Sequence, residues 1–363
     1  MQQKVYESSI ESSIKKIITD LNVNSVLLVT GKRSFENSKA KPVIDNLASN
    51  IRLLRISDFD INPNFADVER IIKQLKTEGF DIFLSIGGGS VMDFAKLIKF
   101  YSEVSLNTPM DILGQQEITN KTPLIAVPTT SGSGSEATHF AVVYKGKQKY
   151  SVAHQKLLPN YVILDHELTE SMPKSLTAHS GIDALSQALE SLWAKNGTKE
   201  SKSYAKEALE LIVENLQGAV LSPNPSNRRE MQKGAYLAGK AINISKTTAP
   251  HALAYFLTKS YGIPHGEAVG INLDLFLTDN WNFMNEADQT FLKNLFQLNN
   301  ENEIADYLIG LKSAIGLKVG LKSIDELNLD DYISAINLER MKNNPKSYTQ
   351  KELMQRLKKY HNL

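Results

Sequence analysis

The segment DIFLSIGGGSVMDFAK, Asp81 to Lys96, decides the fold of the front half of this chain. Residues 81–86 form a short apolar run that is typical of a buried strand, and the run leads directly into three glycines. Residues 90–102 then carry a helical pattern. A strand that ends in glycines before a helix presents unpaired backbone N–H groups and the positive end of a helix dipole to an anion. We therefore predict that this loop holds the pyrophosphate of a dinucleotide.

The same loop has a second interpretation. Ser90, followed three residues later by Asp93, is close to the capping box that begins many helices. The loop also differs from the GxGxxG dinucleotide fingerprint. Three glycines nevertheless exceed what a simple turn needs, so phosphate binding is favoured, and the two interpretations are compatible. The residues of this loop predicted to contact the cofactor are Gly87, Gly88, Gly89, Ser90 and Asp93.

Strand and helix patterns alternate through the front half. This alternation predicts a parallel sheet with helices on both of its faces. The predicted strands are residues 25–30, 50–56, 81–86, 123–127 and 161–164, and the predicted helices are residues 66–79 and 90–102.

A second loop, PTTSGSGSEAT at residues 128–138, follows the strand at 123–127. Open α/β sheets bind ligands at the carboxyl ends of their strands, and this loop combines hydroxyls with glycines at such a position. A flexible Ser/Gly turn is the alternative. It is disfavoured because another apolar run, residues 140–143, follows immediately. The predicted cofactor contacts are Thr129, Thr130, Ser133 and Ser135.

The pattern becomes helical after residue 165. We therefore predict an α/β dinucleotide-binding domain over residues 1–165 and an all-helical domain over residues 166–363. The strongest helical patterns cover residues 178–195, 199–216, 227–244 and 248–261.

Composition excludes several classes of function. The net charge of the 363 residues is +1, so no global basic field indicates binding to nucleic acid or to an anionic membrane. The absence of cysteine excludes disulfides and thiolate chemistry. No apolar stretch has the length of a membrane span, and the first residues lack the apolar region of a signal peptide. We expect a cytoplasmic protein.

Two histidines and a carboxylate in the back half are candidate metal ligands. Asp183 and Gln187 lie four residues apart and share one face of a predicted helix. His251 and His265 are separated by another helix, so the imidazoles could meet at Asp183. Two histidines and one carboxylate with an open position suit catalytic Zn²⁺ or Fe²⁺. The alternative is that each histidine is an ordinary core or capping residue.

Four motifs together resemble the iron-containing (group III) alcohol dehydrogenase family. They occur in the family's order, and the resemblance spans about residues 20–270. The resemblance implies the fold that this family shares with dehydroquinate synthase, and it implies a homodimer. The implied activity is that of a metal-dependent, NAD(P)H-linked alcohol dehydrogenase or aldehyde reductase. The motifs are GGGSVMDFAK at 87–96, PTTSGSGSE at 128–136, GIDAL at 181–185 and IPHG at 263–266.

The resemblance also assigns ligands. Asp183, His251 and His265 match three of the family's four metal ligands, but Gln187 stands where the family has a histidine. Tyr255 stands where the family often has a histidine that assists proton transfer, and we expect it to take part in catalysis. The resemblance further implies that Lys149 contacts the cofactor.

The sequence before His251 departs from the small residues that the family usually has there. ISKTTAPH, residues 244–251, resembles the phosphonoacetaldehyde reductase subgroup, which produces 2-hydroxyethylphosphonate. We predict that Lys246, Thr247 and Thr248 hold a dianionic phosphonate through charge-assisted hydrogen bonds, with Lys246 acting in catalysis. The alternative is that Lys246 lies at the edge of a helix start.

Gly31 follows the predicted strand at 25–30, at the place where NAD-dependent members of the family often have an aspartate for the ribose hydroxyls. Lys32 and Arg33 follow, and cations there suit a 2′-phosphate. We therefore predict NADP(H) in preference to NAD(H). The alternative is a solvated basic turn.

The expected mechanism is hydride transfer from the nicotinamide to an aldehyde whose oxygen is polarised by Fe²⁺ or Zn²⁺, in a cleft between the domains. Four alternatives stay open: a reductase of another small, anionic aldehyde, a glycerol-phosphate dehydrogenase, a cyclase resembling dehydroquinate synthase, and a nucleotide-binding protein that has lost its metal. Gln187 is the feature that favours the last.

Overall fold

The computed structural model describes residues 3–75, 78–102, 121–146 and 148–362. Contacts within the chain divide it into two compact units, Met1–Ser171 and Met172–Leu363. The first is an α/β unit and the second is helical, which confirms the predicted fold class.

A six-stranded sheet forms the centre of the first unit, and its strand order is β1-β8-β5-β4-β2-β3 with every pair parallel. A separate antiparallel hairpin joins β6 to β7. The strands are β1 Lys4–Tyr6, β2 Ser25–Thr30, β3 Arg52–Ile56, β4 Ile82–Gly87, β5 Leu124–Pro128, β6 Phe140–Lys145, β7 Gln148–Ala153 and β8 Tyr161–Ile163. The helices are α1 Ile10–Leu21, α2 Arg33–Glu36, α3 Ala40–Ala48, α4 Phe65–Leu75 and α5 Gly89–Tyr101.

Apolar cores cover both faces of this sheet, as predicted. Leu27 and Val29 of β2 belong to the core that contains α4 and α5. Val26 and Leu28 belong to the core that contains α1 and α3. Successive residues of a strand point to opposite faces, so β2 is buried on both sides. This double burial explains why the parallel strands appear in the sequence as uninterrupted apolar runs.

Two helix predictions need correction. Helix α5 begins at Gly89 with Gly88 at the N-cap and without a side-chain cap, so the predicted capping box of Ser90 and Asp93 is wrong. The Asp93 carboxylate is instead engaged by a later loop. The predicted helix at 66–79 corresponds to α4, Phe65–Leu75. Residues 76–77 lie outside the described residues, and residues 78–79 are not helical, so the predicted end at Gly79 is wrong.

The second unit contains no strand in the described residues 172–362. Every residue of α6 from Gly181 to Trp193 is buried, so this helix lies at the centre of the unit and its polar side chains point into the interior. None of the described helices is both long enough and apolar enough to span a lipid bilayer. The helices are α6 Lys174–Trp193, α7 Lys199–Leu221, α8 Pro225–Ser245, α9 Ala249–Tyr261, α10 His265–Gly270, α11 Leu273–Asn280, α12 Glu286–Phe296, α13 Glu301–Ala314, α14 Leu329–Ser334 and α15 Gln350–His361.

Candidate active site

The glycine loop and the hydroxyl-rich loop of the first unit lie against each other. The register of β4 and β5 pairs Gly87 with Pro128, so both loops leave the same edge of the sheet. A Cβ atom on Gly89 would lie 2.6 Å from the Ser133 Oγ, and one on Gly88 would lie 3.3 Å from the Thr130 Oγ1. Glycine therefore permits the close approach of the two loops. The structure brings together the residues from which the sequence predicted a cofactor site.

Asp93 and Ser135 bond to each other. The Ser135 hydroxyl donates to Asp93 Oδ1 at 2.6 Å, and the Val142 N–H donates to Asp93 Oδ2 at 2.9 Å. The buried ammonium of Lys96 donates to Ser135 Oγ at 2.8 Å. Burial lowers the pKa of Lys96 to about 8, although Asp93 and Glu136 oppose the shift. This network fastens the hydroxyl-rich loop to α5, a role that the sequence did not reveal.

Arg55 holds the backbone corner that follows β2. Its guanidinium donates to the Thr30 hydroxyl at 2.8 Å and to the Gly31 carbonyl at 3.1 Å. The exposed ammonium of Lys32 lies 2.6 Å from the Asp58 carboxylate, and this contact holds the pKa of Asp58 below its usual value. Sequence analysis missed Asp58, because its proximity to Lys32 depends on the pairing of β2 with β3.

Lys149 lies on the β6–β7 hairpin, where it is paired with Tyr144. The hairpin belongs to the first unit, as do both loops. Its assignment as a cofactor contact stays a prediction.

The three predicted metal ligands of the second unit converge. Ligand atoms of Asp183, His251 and His265 all lie within 4.8 Å of one another. The His251 Nε2 is 3.3 Å from Asp183 Oδ1, and this buried oxygen accepts no hydrogen bond from the described part of the chain. A buried, unsatisfied carboxylate oxygen beside two imidazoles fits a divalent cation.

Gln187 lies beside Asp183 on α6. Burial raises the pKa of Asp183, but the neighbouring side chains of His251, His265 and Gln187 outweigh burial and hold it below its usual value. The carboxamide of Gln187 is thus part of the carboxylate's surroundings. Whether its oxygen binds a metal stays a prediction.

Glu190 belongs to the candidate site, and the sequence analysis missed it. It is fully buried on α6, and its Oε2 bonds to Nδ1 of His251. Its Oε1 accepts hydrogen bonds from the N–H and the hydroxyl of Thr248, at 2.7 and 2.8 Å. Burial lowers the pKa of His251, yet the Glu190 and Asp183 carboxylates raise it overall to about 10. The spacing of Asp183, Gln187 and Glu190 along one helix face was the available signal.

The hydrogen bonds of Thr248 disfavour its predicted contact with a substrate anion. Its hydroxyl donates to Glu190 and accepts a hydrogen bond from the Trp193 indole at 2.9 Å, and the residue is buried. Its one hydroxyl proton is already used, so none remains for an anion. Thr248 instead fastens the start of α9.

Lys246 and Thr247 form the turn between α8 and α9, and both are partly buried. Lys246 follows the last residue of α8, so it lies at a helix end and not at a helix start. Burial lowers the pKa of Lys246, which is the effect that a bound anion would oppose.

Tyr255 lies one turn after His251 on α9, on the same face of the helix. The Lys259 ammonium is 5.7 Å and the Arg340 guanidinium is 5.9 Å from the centre of its ring. Its catalytic role stays a prediction.

Comparison with known proteins agrees with this geometry. Residues 2–166 match the model of iron-containing alcohol dehydrogenase, and residues 177–361 match that of the C-terminal region of the same family. A long-chain-alcohol dehydrogenase from Geobacillus thermodenitrificans is 35% identical over 56% of this chain and 53% of its own length. A phosphonoacetaldehyde reductase from Streptomyces viridochromogenes is 31% identical over 59% of this chain and 56% of its own length. The matches thus span about half the length of these relatives.

A solved structure covers more of the chain. The sulfoacetaldehyde reductase from Bifidobacterium kashiwanohense, in complex with NAD⁺, has a TM-score of 0.90 at 29% identity and covers 99% of this chain and 96% of that one. The two family models together account for nearly all of the sequence. The chain therefore belongs to the iron-containing alcohol dehydrogenase family.

Proposed function

We propose that this protein is a metal-dependent, NAD(P)H-linked reductase of a small anionic aldehyde, and that phosphonoacetaldehyde, reduced to 2-hydroxyethylphosphonate, is its substrate. The observation that carries the proposal is a partly buried cation, Lys246, in the turn that leads into the helix of His251. A cation in such a position favours a charged substrate group. Two similar proteins support it, because each is named for a two-carbon aldehyde with a tetrahedral anionic group.

The residues present fit a metal and a dinucleotide. When bound, a divalent cation supplies a Lewis acid and a reduced nicotinamide supplies the hydride. Asp183, His251 and His265 would hold the cation, and Gln187 would offer a carbonyl oxygen, a weaker ligand than imidazole for Fe²⁺ or Zn²⁺.

The remaining residues orient the reactants. The loops at Gly87–Ser90 and Thr129–Ser133 would hold the dinucleotide through backbone N–H groups and hydroxyls, with Asp93 and Ser135 fixing their geometry. Lys246 and Thr247 would bind the anionic group. Tyr255 would donate the proton that the product alcohol needs, because its phenol is one helical turn from His251.

The first test is an aldehyde panel of phosphonoacetaldehyde, butanal, lactaldehyde and succinic semialdehyde, followed by NAD(P)H absorbance at 340 nm. We expect phosphonoacetaldehyde to have the highest kcat/KM. A hydrogen bond to a charged group contributes roughly 1.5–3 kcal/mol, so Lys246→Ala should lower kcat/KM for phosphonoacetaldehyde relative to butanal by roughly 10- to 100-fold. Lys322→Ala, at an exposed lysine of the same unit, is the matched control. An unchanged ratio in Lys246→Ala would refute the anion site.

A second prediction concerns the cofactor. We expect wild type to prefer NADPH, and Gly31→Asp to lower the NADPH-to-NADH ratio of kcat/KM at least about 10-fold, because a carboxylate repels the 2′-phosphate and accepts from ribose hydroxyls. An added Cβ would lie 2.4 Å from the Ser34 hydroxyl, which can rotate away. Gly31→Ala carries the Cβ without the charge and is the matched control. A wild-type preference for NADH would contradict the prediction.

A further inference from the structure

The backbone of Lys246 adopts a conformation that is nearly restricted to glycine. Its φ is 63° and its ψ is 169°. Of the four other described non-glycine residues with positive φ, three have ψ values in the ordinary left-handed helical region: Asn22 at 50°, Gln297 at 40° and Asn362 at 44°. The region that Lys246 occupies is strained for any residue with a Cβ, and it persists only where surrounding contacts enforce it.

Asn343 supplies those contacts. Its Nδ2 donates to the Ser245 carbonyl at 2.8 Å and to the Thr247 carbonyl at 3.0 Å, so one amide group binds the backbone on both sides of Lys246. Its Oδ1 accepts from the Asn196 N–H at 3.0 Å. This set of one acceptor and two donor contacts fixes the orientation of the carboxamide.

The two ends of the turn are fastened separately. The Ser245 hydroxyl bonds to that of Ser191 at 2.7 Å, and Thr248 is held by Glu190. Both contacts come from α6, the helix that also carries Asp183. Within the turn, the Lys246 N–H donates to the Ile242 carbonyl at 2.9 Å and its carbonyl accepts from the Ser245 hydroxyl at 3.1 Å. Asn343 adds the side-chain hydrogen bonds to the carbonyls on either side of Lys246.

We infer that Asn343 is a positioning residue that sets substrate specificity: its carboxamide holds Lys246 in a strained backbone conformation and thereby fixes where the ammonium meets the anionic group of the aldehyde. The inference rests on the proposed function. The side-chain hydrogen bonds of Asn343 go to backbone groups of Asn196, Ser245 and Thr247, so Asn343 acts through the turn. Loss of the amide allows the turn to relax and the ammonium to leave its position.

The functional test compares kcat/KM for phosphonoacetaldehyde and butanal. We expect Asn343→Ala to lower the ratio of the two by about 10-fold in the wild-type background, as expected for a lost charge-assisted contact. The double variant, Asn343→Ala with Lys246→Ala, should have the same ratio as Lys246→Ala alone. Asn343→Asp keeps the shape of the side chain but loses the amide hydrogens that bond to the Ser245 and Thr247 carbonyls. It should therefore reduce the ratio at least as much as Asn343→Ala does.

The controls separate the possible failures. Asn300→Ala removes the N-cap of α13 and should cost stability without changing the ratio. A loss for both aldehydes alike in Asn343→Ala, or a retained ratio in Asn343→Asp, would overturn the inference. If Lys246→Ala itself leaves the ratio unchanged, the proposed anion site fails instead.

A stability measurement tests the strain without substrate or metal. Lys246→Gly should melt roughly 2 to 4 °C above Lys246→Ala, because glycine adopts this conformation without a Cβ penalty. The difference in melting temperature between Lys246→Gly and Lys246→Ala should be smaller when each is combined with Asn343→Ala, because the turn has already relaxed once Asn343 no longer holds it. A difference of equal size in both backgrounds would show that Asn343 does not enforce the strain.

Discussion

Replacing Glu190 with glutamine is expected to weaken the binding of Zn²⁺ or Fe²⁺ by roughly 10- to 100-fold, the usual cost of losing a residue that orients a metal-ligating histidine. Glu190 is not one of the three predicted metal ligands, and it acts through His251. It is bonded to Nδ1 of His251, which leaves Nε2 as the ring nitrogen that faces Asp183.

The expected loss follows from the hydrogen bonds that one carboxylate makes here. Both oxygens of Glu190 accept, one from Thr248 and the other from His251. Glutamine has one acceptor oxygen and one donor amide. If its amide faces His251, the imidazole proton moves to Nε2, where it blocks a metal. If its amide faces Thr248, the glutamine N–H and the Thr248 N–H, both donors, face each other in a buried place. The N-terminus of α9 then loses the hydrogen bond that Thr248 makes to Glu190.

Metal affinity is best measured by titration against a chelating indicator, with bound metal counted by elemental analysis. Thr248→Val is the matched control, because it removes a hydroxyl from the same carboxylate without touching His251. It should lower stability by about 1–2 kcal/mol through the lost hydrogen bonds, while metal affinity stays within about threefold of wild type. Equal loss of affinity in both variants would show that Glu190 only stabilises the fold.

The sheet of the first unit could be predicted because its signals are local. Strand β2 has the predicted bounds, Ser25–Thr30, since a strand buried on both faces is a continuous apolar run. Strands β4 and β5 end within one residue of the predicted positions, where glycine or proline follows. The hairpin of β6 and β7 was missed, because its pairing depends on contacts between two segments and not on either alone.

The predicted site was incomplete for a related reason. Periodicity places Glu190 on the face of Asp183, but only the packing of α6 against α9 shows that its partner is His251. Asn343 is 98 residues from Ser245, and no pattern in the sequence connects them. Thr248 was assigned to the substrate because it stands next to Lys246, whereas its hydroxyl belongs to a buried network. Sequence indicated the chemistry of the ligands, but the residues that orient them come from distant segments.

The second large effect is expected at Gly266, the residue after His265 on α10. A Cβ atom there would lie 1.9 Å from the backbone carbonyl oxygen of His179 and 2.9 Å from the Cβ of Asp183. Both atoms belong to α6, and the first is backbone, so no side-chain rotation can make room. Glycine at this position lets α10 approach α6 closely enough for ligand atoms of His265 and Asp183 to lie within 4.8 Å of each other.

Gly266→Ala should therefore separate two of the three ligands. We expect loss of roughly 1–3 kcal/mol of stability, as in other overpacked interiors, and metal affinity at least about 10-fold weaker, since even a small displacement spoils a three-ligand geometry. Melting temperature without metal and the dissociation constant for Zn²⁺ measure the two effects independently.

Gly270→Ala provides the matched control on the same short helix. Its Cβ would lie 2.8 Å from the Cγ1 of Ile182, which is a side-chain atom, so the clash is smaller than the 1.9 Å approach to backbone at Gly266. Gly270→Ala should thus cost stability through local crowding and keep most of its metal affinity, because Gly270 lies at the end of α10 opposite His265. If the two variants bind metal equally well, the close approach at Gly266 serves packing alone. If Gly266→Ala loses metal while Gly270→Ala retains it, the distance between α10 and α6 at Gly266 is what brings His265 to Asp183.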